Sequence, residues 1–140
     1  MVNGLVLNDS EARQLSGERD LLRAGRWVCE HGVAYCIIEK GEDGSILQGP
    51  DGVFVLPAFP TEQVKDPTGA GDAFAGGLMG YLAREGSVTA QALRRALAYG
   101  TVMASFAIED FSLEGLKAAT TEHIENRLRE LVSRADAFRP

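Results

Sequence analysis

Cysteine and histidine are scarce in this sequence. Cys29 and Cys36 are the only cysteines and His31 and His123 the only histidines, and no pair of them has the close spacing that zinc sites use. That excludes a metal-stapled or disulfide-rich scaffold and leaves the two thiols as buried small hydrophobes in a reducing compartment. Long apolar runs are missing as well. Nothing approaches the roughly 18 residues of a membrane span, and no basic segment followed by an apolar stretch opens the chain, so the expected location is the cytoplasm. Basic charge is in deficit: 14 Lys and Arg face 20 Asp and Glu, a formal charge of −6. The charges are spread along the sequence rather than gathered into a tail, which argues against a nucleic-acid partner. Internal repeats and low-complexity tracts are absent.

What is present fits one ordinary domain. The 140 residues are 45% hydrophobic and 24% charged, and a chain of this size buries roughly two thirds of its unfolded surface without needing a staple. Leu5-Val6-Leu7 and Val33 to Ile38 are continuous apolar runs, as expected of parallel strands covered on both faces by helices. Between them Leu21, Ala24, Gly25 and Val28 recur at helical spacing and Gly32 is a stop, which gives strand, helix, strand. Ser45 to Gln48 and Val53 to Leu56 flank Gly49-Pro50-Asp51-Gly52 and predict a hairpin. Phe74, Gly77, Leu78, Tyr81 and Leu82 share one helical stripe. Leu93, Ala96, Leu97, Gly100, Thr101 and Ala104 share another, so two packed helices are expected. A last amphipathic helix carries Ile124, Leu128, Leu131, Val132 and Ala135, with Thr121 as its N-cap. The class is α/β, with few parallel strands for its helices. The first apolar run begins almost at Met1, and a central parallel strand lacking a neighbour leaves an open edge. The chain is therefore expected to be part of a longer fold, or to pair that edge with a second copy.

The stretch that carries chemistry is Asp66-Pro67-Thr68-Gly69-Ala70-Gly71-Asp72, which runs directly into a helix. Gly69, Ala70 and Gly71 let a ligand approach the backbone where the first amides of a helix have no internal partner, and those amides with the helix dipole favour an anion. On the residues alone Asp72 has two readings. It is either a first-turn acid complementing the dipole or a base placed beside an anion site to deprotonate an attacking hydroxyl. Asn8-Asp9-Ser10-Glu11, at the end of the first strand, reads either as a helix capping box or as a ligand site at the C-terminal end of a parallel strand. Gly41-Glu42-Asp43-Gly44 reads as a turn into the hairpin or as a loop against a ligand. Lys40 precedes it at the strand end. His31 and His123 read as solvated histidines, and Trp27 as core or subunit contact.

Asp66 to Asp72 closely resembles the C-terminal signature of the ribokinase-like (PfkB-type) kinases. The resemblance implies the C-terminal part of a three-layer ribokinase-like fold over residues 1–140, with few parallel strands, one hairpin and flanking helices. It implies a kinase that moves the ATP γ-phosphoryl group onto a sugar or nucleoside hydroxyl, with Asp72 as catalytic base and the amides of Gly69, Ala70 and Gly71 as the anion hole. Asn8 and Glu11 resemble the family's Asn-x-x-Glu motif, which implies Mg²⁺ held through water. Gly41, Glu42 and Gly44 resemble its Gly-x-x-Gly loop against the nucleotide, and Ala104-Ser105 the segment lining the adenine pocket. Asp66 and Thr68 match positions at which many relatives hold a monovalent cation, and Thr68 also lies at the nucleotide. The later loop, Ile108 to Ser112, lacks the glycine of those relatives.

Two absences bear on the reading. The sequence lacks Gly-x-x-x-x-Gly-Lys-Ser/Thr, which disfavours a P-loop kinase or GTPase. Nothing corresponds to the family's N-terminal Gly-Gly segment and β-sheet lid, which hold the acceptor. The expected partners are ATP or ADP and, in the complete enzyme, a small sugar or nucleoside, with oligomerisation through the exposed sheet edge. The alternative is a truncated, non-catalytic nucleotide-binding module, or an oligomerising fragment with a vestigial site.

Overall fold

The structure, a computed structural model, describes residues 4–60, 69–109 and 120–136. The chain divides into two compact units, Met1–Leu56 and Pro57–Pro140.

The first unit holds four strands and two helices. They are β1 (Gly4–Asn8), α1 (Asp9–Ser16), α2 (Leu21–Glu30), β2 (Tyr35–Glu39), β3 (Ser45–Gly49) and β4 (Gly52–Leu56). The sheet order is β1-β2-β3-β4. β1 and β2 are parallel, with Asn8 opposite Glu39, and the other neighbours are antiparallel. The predicted hairpin is β3 to β4, closed by Pro50 and Asp51 between the paired Gly49 and Gly52. α2 packs on β2 and β3. Its Gly25 allows the close approach, because a Cβ there would stand 3.3 Å from the Gln48 Cβ.

Two expectations are corrected in this unit. Between β1 and β2 lie two helices, not one. α1 has a single buried residue, Ala12, and carries Asp9, Glu11 and Arg13, so apolar periodicity gives almost no sign of it. β1 is covered on one face only. Leu5 and Leu7 pack on the cluster of Ala12, Ala24, Val28, Cys36, Ile38 and Ile46, whereas Val6 is 36% exposed. Among the described residues β1 is an edge strand, whereas β2, with Cys36, Ile37 and Ile38 all buried, and β3, with Ser45, Ile46 and Leu47 all buried, match strands covered on both sides. At the opposite edge Val53 and Val55 remain exposed.

The cysteines behave as small core groups. Cys36 is buried and Cys29 half-buried, and both are free thiols. Burial, with the neighbouring Cys29 as a smaller cause, pushes Cys36 up to about 12, and burial raises Cys29 as well. Trp27 is half-buried and stacks on His31, with ring centroids 3.8 Å apart. His31 is the C-cap residue of α2.

The second unit is helical among its described residues: α3 (Ala70–Glu85), α4 (Ala90–Ile108) and α5 (Thr121–Asp136). α3 and α4 form the expected pair. Phe74, Leu78, Leu93, Ala96 and Leu97 are buried along the predicted stripes, and Val102, Phe106 and Ala107 widen the buried face of α4. Thr101 satisfies its buried hydroxyl by donating to the Leu97 carbonyl at 2.8 Å. α5 buries Leu131 completely. Its cap is Thr120, one residue earlier than expected: the Thr120 hydroxyl accepts from the His123 amide at 3.2 Å. No helix among the described residues is long and apolar enough to cross a membrane.

Candidate functional site

In the second unit α3 opens without a side-chain cap. Gly69 is the N-cap residue in the left-handed region, φ 87°, a conformation that costs other residues free energy. The first helical hydrogen bond runs from the Ala73 amide to the Gly69 carbonyl at 2.9 Å. The amides of Ala70, Gly71 and Asp72 therefore precede the helical ladder, and they point along the positive end of a 16-residue helix. Gly71 and Asp72 are exposed, and a Cβ on Gly69 would meet nothing within 4 Å. Among the described residues no side chain stands within 4 Å of that point, which leaves the backbone there open to an anion. Asp72 stands in the first turn beside those amides. Asp66 and Thr68 lie outside the described residues, as does 110–112 of the later loop. Ala104 is half-buried on α4 and Ser105 fully buried.

In the first unit both readings of Asn8 to Glu11 bear on one geometry. The capping box is complete. Asn8 Oδ1 accepts from the Glu11 amide at 2.7 Å, and Glu11 Oε1 accepts from the Asn8 amide at 3.0 Å. It stands at the C-terminal end of β1, the end at which parallel sheets bind ligands. Gly41 to Gly44 form a single 3₁₀ turn with both glycines at positive φ, 58° and 91°. Lys40, half-buried, closes the turn by donating its amide to the Gly44 carbonyl at 2.7 Å. Glu42 is exposed.

Two features at these positions escape the sequence reading. Glu39, in register with Asn8, has its carboxyl raised by burial first and then by the charges of Asp9 and Glu11. Only the strand register shows this gathering of acids. The other is a contact of Arg127 with Ser105 and Glu109, residues 22 and 18 positions away.

Comparison with known proteins is decisive for ancestry. The model of the pfkB family of carbohydrate kinases matches residues 1–117. The chain belongs to the pfkB carbohydrate kinase family. This pfkB chain is 42% identical to the cytidine kinase of Thermococcus kodakarensis over 78 residues, which is 53% of the chain and 27% of that protein. It is 38% identical to the aminoimidazole riboside kinase of Salmonella typhimurium over 96 residues, 66% of the chain and 30% of that protein. Among solved structures, aminoimidazole riboside kinase from Salmonella enterica, complexed with aminoimidazole riboside and an ATP analog, superposes with a TM-score of 0.77 at 29% identity. That match covers 90% of this chain and 42% of the other. The nucleoside kinase of Methanocaldococcus jannaschii superposes with a TM-score of 0.70 at 25% identity, covering 91% and 40%. The fold is therefore the ribokinase-like α/β fold. The pfkB chain spans less than a third of the curated relatives it matches and about two fifths of the solved structures.

Proposed function

We propose that residues 1–140 are the C-terminal nucleotide-binding portion of a kinase that transfers the γ-phosphoryl group of ATP to a hydroxyl of a sugar or nucleoside. The observation that carries this reading is the start of α3. A left-handed glycine without a side-chain cap leaves a row of amides at the positive end of a long helix, with an exposed carboxylate in the first turn. An anion site alone gains nothing from that carboxylate, which repels phosphate. A hydroxyl that attacks phosphorus needs a base at that place.

In this reading Asp72 accepts the proton of the acceptor hydroxyl as it attacks in line, and the amides at Gly69, Ala70 and Gly71 stabilise the charge that builds on the transferring group. Gly41, Glu42, Gly44, Thr68 and Ala104 are the nucleotide-binding residues of this reading. The donor set fits Mg²⁺ held through water and substrate oxygens rather than in a protein cage. Among the described residues no three acidic, histidine or cysteine side chains group into a direct metal site, and kinase sites hold Mg²⁺ by one or two carboxylates plus phosphates. Asn8 and Glu11 would orient its waters, and Glu39, whose carboxyl is raised first by burial and only then by the charges of Asp9 and Glu11, stands in register with Asn8. When bound, Mg²⁺ neutralises phosphate charge. Asp66 with Thr68 would hold a monovalent cation. The proposed compartment is the cytoplasm.

A second reading is favoured by the share of its relatives that the chain spans. The family resemblance implies an acceptor site in an N-terminal part that these residues do not match, so by itself this portion would be a nucleotide-binding module without transfer, or an oligomerising one through the β1 edge. Calorimetric titration of the 140-residue chain with ATP and ADP in Mg²⁺ separates the cases. Saturable binding that Gly69→Val abolishes supports an assembled anion site, and transfer that Asp72→Ala abolishes supports a catalytic one. Absence of binding together with a tight dimer in sedimentation refutes the nucleotide reading.

A further inference from the structure

The last turn of α4 has no basic residue of its own, although a helix C-terminus gathers unpartnered carbonyls and partial negative charge. The cation comes from α5. Arg127 Nη2 donates to both carboxylate oxygens of Glu109, at 2.8 and 2.7 Å, and Nη1 donates to Ser105 Oγ at 2.8 Å. Its guanidinium carbon lies over the Phe106 ring at 3.8 Å and over the Phe59 ring at 4.9 Å. Ser105 Oγ in turn donates to the Val102 carbonyl at 2.5 Å, so both capacities of that buried hydroxyl are in use and its rotor is fixed.

This is more than is needed to attach α5, which already buries Leu131 against the unit's core. The pair is four-fifths buried on both sides, and a charge-assisted contact shielded in this way, with Nη2 on both carboxylate oxygens and Nη1 on Ser105, holds its partners in one orientation where an exposed ion pair would not. The contacts converge on one turn, Ser105 to Glu109, immediately after Ala104.

We propose that Arg127 is a positioning residue for the nucleotide base. By locking Ser105 and Glu109 it fixes the last turn of α4, and with it the wall that Ala104 presents to the ligand. This rests on the nucleotide-site reading above. It makes the base-dependent part of binding sensitive to Arg127 and leaves the phosphate-dependent part, at the start of α3, insensitive.

The test is calorimetry on the full chain with Mg²⁺ and two probes, ADP and inorganic pyrophosphate, for the native protein, Arg127→Met, Arg127→Lys and Glu109→Gln. In Arg127→Met, pyrophosphate affinity is expected to stay within about twofold while ADP weakens about tenfold or more, with Arg127→Lys in between. A purely structural clamp would lower the melting temperature without separating the probes. Equal ADP affinity in Arg127→Met and the native chain, or equal fractional losses of both probes, overturns the inference. If Arg127→Met does not fold, by circular dichroism, Arg127→Lys and Glu109→Gln decide on the same split. If the native chain binds pyrophosphate but not ADP, the inference fails while the anion site stands. If it binds neither, the nucleotide reading fails and takes the inference with it.

Discussion

The Cα of Gly100 lies 3.1 Å from the point where a Cβ on Gly77 would stand, so α3 and α4 meet there backbone to backbone. In the other direction a Cβ on Gly100 would come within 2.6 Å of the Phe74 carbonyl oxygen, an atom fixed in the α3 ladder. Gly100→Ala must therefore push the helices apart. The expected cost is about 1–3 kcal/mol, the range for overpacking a tight contact, read as a lowered midpoint in denaturant with an unchanged slope. Because α3 begins with Gly69 to Asp72, ADP affinity should fall as well. An unchanged midpoint would mean that the two helices have room to separate.

Asp72 and Gly69 should separate chemistry from architecture. Asp72 is exposed in the first turn, so Asp72→Asn forfeits only a dipole interaction of about 0.3–1 kcal/mol. ADP affinity should hold or rise, since a carboxylate beside the phosphate site is gone. Any transfer that the chain supports should drop by about 10²–10⁴-fold. Gly69→Ala does the opposite. Its Cβ has open space, so its cost is the strain of a left-handed alanine, about 1–2 kcal/mol, and relief of that strain moves the amides. Loss of ADP binding in Gly69→Ala with retention in Asp72→Asn is the expected pattern, and the reverse would reassign both residues.

The backbone of the candidate site was legible because glycines at a helix start have a physical use: an apolar stripe follows Gly69-Ala70-Gly71, and Gly69 does sit at positive φ as the cap of α3. The hairpin was legible for the same reason, since Gly49-Pro50-Asp51-Gly52 leaves little choice of turn. What escaped lies where burial and register are decided by distant residues. α1 is apolar only at Ala12 and Leu15, and β1 looks like a central strand but is covered on one face only. Glu39 becomes notable only once the pairing places it opposite Asn8. Arg127 is an unremarkable arginine on an amphipathic helix until its partners Ser105 and Glu109 are seen.

The capping box at Asn8 can be parted from any cation role by one conservative change. Glu11→Gln keeps an oxygen to accept from the Asn8 amide, as Glu11 Oε1 does at 3.0 Å, but removes the charge. Stability should change little, whereas Asn8→Ala, which loses the 2.7 Å bond from the Glu11 amide, should cost about 1 kcal/mol. If Glu11 orients Mg²⁺ waters, Glu11→Gln weakens ADP binding in Mg²⁺ and not in chelator. Identical behaviour in both conditions would leave the motif with its structural role alone.

Glu39 makes stability depend on pH. Burial first, then the charges of Asp9 and Glu11, raise its carboxyl above the ordinary value. A group whose folded value is raised contributes stability that is complete below the unfolded value, about 4.3 for glutamate, and lost as the pH climbs through the folded value. At pH 7 the carboxyl therefore costs stability that it does not cost near pH 4. Glu39→Gln should raise the melting temperature at pH 7, and the advantage should shrink toward zero as the pH falls to about 4. Thermal melts of both proteins across that range decide the matter. A difference that stays constant with pH would place the effect in packing at the end of β2 and not in ionisation.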